Sequence, residues 1–338
     1  METDRATGNG EDRLVLITFA VDEAQRSMFA NALGELTTVA VLPDLSGEER
    51  AAALASAEAL LVWGWRRELS EEDPAALRSV RFVQLITAGA DGVPMDEVPG
   101  DAVIASNVGA YAEPMAEHVM AMTLALAKHL LPRYQEMARG EFNQFRFNRS
   151  LEGAVCGILG YGGIGQRTAG FMRSFGARIH AVNTSGRVDD GEVEWMGTLD
   201  DLDMVLQASD VLVIALPLTR STRGLIGRRE LGLMKPNAIL VNVARGDIVD
   251  QDALYEHLVS HPDFQAGIDA WWVEPLTHGE FRTDHPFFDL PNVLGSPHNS
   301  GLVPGVIETA ARRAAENVAR YLRVEPIKGV VDRDDYRG

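Results

Sequence analysis

"GILGYGGIGQR", residues 157–167, places glycines at positions 160, 162, 163 and 165. Glycine-rich turns are common, so the flanking residues decide what the G-x-G-x-x-G spacing means. An apolar strand-like run, 154–159, precedes the turn, and a helix-compatible segment, 166–175, follows it. In that setting Gly160 permits the tight turn, Gly162 lets a pyrophosphate approach the backbone, and Gly165 allows close packing of helix on strand. The phosphates then lie at the helix N-terminus. Gly160, Gly162, Gly163, Ile164 and Gly165 are therefore the expected dinucleotide cradle.

The turn lies almost halfway along a chain of 338 residues, a length that suits two domains. Before it, apolar runs at 14–21, 38–42, 59–65, 81–86 and 102–107 alternate with helix-like stretches. From it onward a second series follows: "AVCGILG", "RIHAVN", "DVLVIALP", "AILVNVA", "QAGIDAW" and "NVLGSPH". Strands alternating with helices predict parallel βαβ units. A long apolar helix is expected at 111–131, and a closing helix at 303–324 can only complete a sheet already built. The fold class is therefore α/β, with two doubly wound parallel-sheet domains. A Rossmann nucleotide-binding domain, 107–298, is inserted into a flavodoxin-like substrate domain, 1–106 plus 299–338.

Composition narrows the function. The hydrophobic content of 46% is ordinary, and the longest apolar runs are strand-sized, so no membrane partner is expected. The polar, acidic 1–13 reads as a disordered lead-in and not as a targeting peptide. The single cysteine, Cys156, excludes an internal disulfide, suits a cytoplasmic setting and reads as a buried strand residue. A net charge of −18 opposes nucleic-acid binding. Arg220, Arg223, Arg228 and Arg229, interleaved with polar residues, read as a solvated face.

Eighteen residues after Gly165, where NAD sites place a carboxylate on the ribose, stands Asn183. A carboxylate there would repel a 2′-phosphate; its absence, with Thr184, Ser185 and Arg187 nearby, tilts the cofactor from NAD toward NADP. Three further segments fall at strand ends, where open α/β sheets collect ligands. Arg245 in "VNVARGDIVD" suits a carboxylate and a keto oxygen together. His298 in "GSPHNSG" suits proton exchange with a substrate oxygen. Glu274 in "GIDAWWVEP" can hold the histidine's tautomer and favour its protonated form. His278, Glu280, Asp284 and His285 show no compact ligand spacing, so no metal is expected.

These residues resemble the D-isomer-specific 2-hydroxyacid dehydrogenases, which include glyoxylate/hydroxypyruvate reductases and phosphoglycerate dehydrogenases. The resemblance rests on "GILGYGGIG", "ALPLTRSTRGLI", "MKPNAILVNVARGDIVD", "AGIDAWWVEP" and "PHNSG", in the family's order across most of 107–301. It implies hydride transfer between NADP or NAD and a small 2-keto or 2-hydroxy acid, with Arg245, Glu274 and His298 as the catalytic set. It further implies Asp269 at the nicotinamide carboxamide, Leu216 and Pro217 on the adenine side, and Thr222, Val243, Ala244 and Gly301 around the cofactor. "TAGADGVPMD" resembles the loop whose amides hold the substrate carboxylate, which implicates Ala88, Gly89 and Ala90. "SNVGAYAEPMAEH" resembles the hinge, which places Met115 near the nicotinamide. Formate is disfavoured, since the formate enzymes carry Gln at the position of Glu274. The phosphite enzymes carry a lysine in the first-domain glycine loop, which "TAGADG" lacks. Trp63, Trp65, Tyr111, Trp271 and Trp272 are expected to shape the pocket, and a homodimer is implied through the 111–131 and 139–150 segments. The corepressors of the same superfamily retain the Arg, Glu and His, so a nucleotide-sensing interaction protein is the alternative to an enzyme.

Overall fold

The computed structural model describes residues 13–188 and 191–337, so the expected lead-in lies outside the described residues apart from Arg13. The chain divides into two compact units, residues 1–110 with 304–338 and residues 111–303. The crossings fall a few residues later than 106/107 and 298/299, for a local reason at each. Asn107 donates its side-chain amide to Ile86 O and Ala310 O, which ties it to the first unit. The N–H groups of Asn299 and Ser300 donate to Asp269, which ties them to the second.

The first unit begins β1 (Leu14–Ile17), α1 (Glu23–Leu33), β2 (Thr38–Val41), α2 (Gly47–Ser56), β3 (Ala59–Val62), α3 (Trp65–Glu68), β4 (Phe82–Leu85), β5 (Val103–Ala105). Its strands are all parallel in the order β2-β1-β3-β4-β5, the flavodoxin-like arrangement. Each strand is shorter than its apolar run, chiefly because the run's last residues leave the sheet. Trp65 shows the effect: it opens α3, is 2% exposed within the core, and donates its indole N–H to Glu97. It is a core residue, which corrects its expected place in a pocket wall.

The second unit runs α4 (Ala112–Ala127), α5 (Leu130–Ala138), β6 (Val155–Leu159), α6 (Gly163–Ser174), β7 (Arg178–Val182), β8 (Trp195–Gly197), α7 (Leu202–Ala208), β9 (Val211–Ile214), α8 (Arg228–Leu233), β10 (Ile239–Asn242), α9 (Gln251–Ser260), β11 (Gln265–Ile268), α10 (Pro275–His278), β12 (Val293–Gly295). Its seven parallel strands lie in the order β12-β11-β10-β9-β6-β7-β8. The order reverses between β6 and β9, and the glycine turn follows β6 at that switch point. The sequence does not announce β8, a three-residue edge strand approached through Glu192 and Glu194.

The expected helix 111–131 is two helices. His129, at φ 51°, ends the first and precedes the second. Helix α4 buries Val119, Met120, Met122, Leu126 and Ala127 against α6, β10 and β11, whereas α5 buries none of its residues. Cys156 lies in the buried β6, and burial pushes its thiol up to about 12. Among the described residues no helix is long and apolar enough to cross a membrane. Arg223, Arg228 and Arg229 pair on the surface with Asp247, Glu256 and Asp203.

A final helix, α11 (Val306–Leu322), returns to the first unit and lays a stripe of buried alanines against α1 and β4. The tail beyond it also takes part in the sheet. Ser106 N–H donates to Gly329 O and Val331 N–H to Ile104 O, so residues 329–331 cover the exposed edge of β5.

Candidate active site

The glycine turn is built as its sequence requires. Gly160 has φ 99°, and a Cβ there would stand 2.6 Å from Ala215 O. A Cβ on Gly165 would strike Gly160 O. Helix α6 begins at Gly163 rather than near 166, because Gly162 is its N-cap. Gly162 provides no side-chain cap, so the first-turn N–H groups, those of Gly163, Ile164 and Gly165 among them, have no intrahelical acceptor. A Cβ on Gly162 would meet nothing within 4 Å. Open space over a helix N-terminus lined with such donors fits a pyrophosphate.

Other cofactor candidates divide by what their side chains already do. Asn183 Oδ1 accepts from Ser185 N (3.0 Å), Ser185 Oγ (3.2 Å) and Gly186 N (2.7 Å), while Nδ2 donates to Arg187 O (2.9 Å). Its amide closes the 183–187 turn and leaves Thr184, Ser185 and Arg187 exposed on it. Thr222 is buried, donates to Pro217 O and accepts from Thr219 N, so its hydroxyl shapes the loop that exposes Pro217 and half-buries Leu216. Val243 and Ala244 are buried after β10. A Cβ on Gly301 would touch Tyr111 and Met115, which places those three residues together. Burial pushes the Tyr111 hydroxyl up to about 12.

The ends of β10, β11 and β12 bring Arg245, Glu274 and His298 together. His298 Nδ1 lies 2.8 and 2.7 Å from the two carboxylate oxygens of Glu274. Glu274 also accepts from Trp271 N at 2.7 Å. Burial alone would raise the Glu274 carboxyl. The hydrogen bonds from His298 and Trp271, with the charges of His298 and Arg245, outweigh burial and hold it below its ordinary value. Glu274 is thus a carboxylate at neutral pH. An ionised carboxylate only accepts, so Nδ1 carries a proton and Nε2 is the ring nitrogen left to face a reactant. The histidine side chain is 31% exposed. Its φ of 50° is left-handed, a conformation that costs a residue with a Cβ about 1–2 kcal/mol. Arg245 follows β10, where Asn242 Nδ2 donates to its carbonyl at 2.8 Å and Arg245 donates to Ala244 O.

Asp269, 0% exposed, accepts from Ser296 Oγ at 2.6 Å and from Asn299 N and Ser300 N at 3.2 Å. Its carbonyl receives the His298 N–H at 2.9 Å. Burial alone would raise this carboxyl, but Ser296, Ser300 and the nearby His118 hold it below its ordinary value. His118 and Ser296 were not singled out from sequence. The available signal was a histidine on a helix otherwise apolar on its inner face.

The tryptophans act as scaffold. Trp271 is buried and donates its indole N–H to Ser296 O at 2.8 Å, and Trp272 donates to Val249 O at 2.7 Å. Phe281 and Phe288, both exposed, lie over Trp271. Trp63 stands edge-on to Phe19 in the first unit. There too, Thr87 donates to Gly89 O at 2.8 Å and shapes the loop of Ala88, Gly89 and Ala90. Among the described residues no three His, Cys, Asp or Glu side chains converge as metal ligands. His285 instead binds Asp252, and His278 Nδ1 accepts from Glu274 N.

Residues 120–300 match the model of the D-isomer specific 2-hydroxyacid dehydrogenase NAD-binding domain. The chain belongs to that family, whose members are oxidoreductases that use a nicotinamide cofactor. It is 34% identical over 260 residues to glyoxylate/hydroxypyruvate reductase B of Pectobacterium atrosepticum, covering 73% of this chain and 76% of that one. It is 29% identical over 302 residues to D-3-phosphoglycerate dehydrogenase of Methanocaldococcus jannaschii, covering 89% of this chain. The match spans only 56% of that longer relative. Among solved structures it resembles a glycerate dehydrogenase related protein from Thermoplasma acidophilum, at 31% identity and TM-score 0.60, covering 91% and 99% of the two chains.

Proposed function

We propose that this protein reduces a small 2-keto acid of the glyoxylate or hydroxypyruvate type to the D-2-hydroxy acid, with NADPH preferred over NADH. The observation that carries the reading is the two-oxygen hold of Glu274 on His298 Nδ1, which leaves Nε2 to exchange a proton. Arg245 orients the substrate through its carboxylate and keto oxygen. A nicotinamide held there would supply the hydride that C2 receives. His298, protonated, gives its Nε2 proton to the oxygen formed there, and Glu274 stabilises the imidazolium before that transfer. In this reading the cofactor is held by Gly160, Gly162, Gly163, Ile164 and Gly165 at its phosphates and by Leu216 and Pro217 at the adenine. Asp269 and Gly301 serve the nicotinamide side. The preference for NADPH is supported by Asn183, whose amide closes its own turn and leaves Thr184 and Arg187 exposed on it to meet a 2′-phosphate.

A panel of glyoxylate, hydroxypyruvate and larger 2-keto acids with NADPH and NADH tests the reading. Turnover is expected, and His298→Ala should lower it by ~10²–10⁴ while nucleotide binding survives. Tight nucleotide binding with no turnover on any acid would instead favour the sensing protein.

We also propose a homodimer formed through residues 130–147. Leu130, Leu131, Tyr134 and Met137 on α5 are exposed, and Phe142, Phe145 and Phe147 beyond it are 77%, 81% and 95% exposed. So dense an apolar patch on one short stretch is characteristic of a protein interface. Sedimentation should report a dimer, and Phe145→Glu with Phe147→Glu should give a folded monomer.

A further inference from the structure

A short chain of polar side chains ties α4 to the loop that carries His298. His118 Nε2 lies 2.9 Å from Ser296 Oγ, and Ser296 Oγ lies 2.6 Å from Asp269 Oδ1. A hydroxyl has a single proton, and an ionised carboxylate only accepts. The Ser296 proton is therefore committed to Asp269, and Ser296 Oγ receives its second bond from His118. The imidazole must carry a proton on Nε2 to donate it. Asp269 in turn holds Asn299 N and Ser300 N, and its carbonyl holds His298 N. Asp269 thus holds the chain around a histidine in the left-handed region, through its carboxylate at Ser296 Oγ, Asn299 N and Ser300 N and through its carbonyl at His298 N.

We propose that His118 is a positioning residue for the acid–base histidine, acting through Ser296 and Asp269 to hold the 296–300 loop in the conformation that presents His298. This rests on the assignment of His298 above and extends it to a residue on α4. The His118 side chain is only 25% exposed, and Met122, one turn further along the same face of α4, is buried, so shape alone would admit an apolar side chain. Only the hydrogen bond to Ser296 requires a donor.

The test separates donor from filler. His118→Phe is expected to lower kcat for keto-acid reduction about tenfold, as small displacements of a catalytic group do, with KM for the keto acid and for NADPH little changed. His118→Gln, which keeps an N–H donor, is expected to restore most of the rate. Ser296→Ala should match His118→Phe, and the double variant should be no worse than either, because both break one relay. The free protein offers a second readout: the downfield proton resonance of His298 Nδ1–H bonded to Glu274, assigned by its loss in His298→Ala. It should shift or broaden in His118→Phe and in Ser296→Ala and persist in His118→Gln. Equal behaviour of His118→Phe and His118→Gln, or additive losses with Ser296→Ala, would overturn the proposal. A wild-type protein without keto-acid turnover, whose resonance still follows this pattern, would reject the reductase reading and retain the positioning role.

Discussion

At the scale of single residues, the site turns on which atoms already have partners. Glu274 spends both oxygens on His298 and is held ionised, so its charge is available to stabilise the imidazolium. Glu274→Gln keeps a hydrogen-bonding group and removes the charge. In the proposed reduction the histidine acts in its protonated form, and without the neighbouring charge that form is lost earlier as pH rises. The alkaline limb of the kcat profile for keto-acid reduction should move to lower pH, and an unmoved limb would reject that role. Arg187 gives a second test, for the cofactor. Arg187→Ala should raise KM for NADPH several-fold and leave KM for NADH nearly unchanged, because only NADPH carries the 2′-phosphate that a guanidinium binds. Equal effects on both nucleotides would remove the basis for an NADP preference.

At the scale of elements, His257 at the end of α9 is expected to make the second unit sensitive to acid. His257 stacks on His261 with centroids 4.1 Å apart, meets Phe264 edge-on, and has a buried Nε2 without a partner. Burial, with the neighbouring His261, lowers its pKa to about 4. An unfolded histidine titrates near ~6.5, so the unfolded chain binds the extra proton first as pH falls. The stabilisation from the neutral ring is complete above about pH 6.5 and is lost as pH drops toward about 4. Allowing for solvent that reaches the ring, the loss is about 1–2 kcal/mol. Urea unfolding at pH 7 and pH 5 should show this difference in the wild type and a smaller one in His257→Leu. Identical pH dependence in the two proteins would place the titration elsewhere.

At the scale of the whole molecule, the first unit closes only when its C-terminal residues return. Asn317, buried on α11, donates to Gln84 Oε1 at 2.6 Å and to Lys328 O at 2.9 Å, and accepts from Lys328 N at 2.9 Å. It joins the closing helix to β4, the neighbour of the edge strand, and to the tail that covers β5. Arg333 then donates to the carbonyls of Val98, Pro99 and Ala102. Asn317→Ala would strand several of these groups in the interior, at about 1–3 kcal/mol for each one left buried and unpaired. Removal of residues 326–338 should destabilise the first unit further and uncover the β5 edge. Thermal unfolding and light scattering would read both effects; an unchanged midpoint in the truncated protein would show that the tail is dispensable.

The sequence by itself determined the alternating βαβ order, the insertion of one unit in another, the glycine turn, and the placing of Arg245, Glu274 and His298 after successive strands. Those features are local: apolar periodicity, turn chemistry and strand ends are each written within a few neighbouring residues. Tertiary structure decided the rest. It buried Trp65 in a core, broke the long helix at His129, closed the Asn183 amide onto its own turn and added the unannounced β8. It also brought His118 to Ser296 across 178 positions of chain, and the tail to the sheet edge. Such pairings depend on where distant segments meet after packing, and a hydrogen-bond partner far along the chain leaves no period or spacing to read.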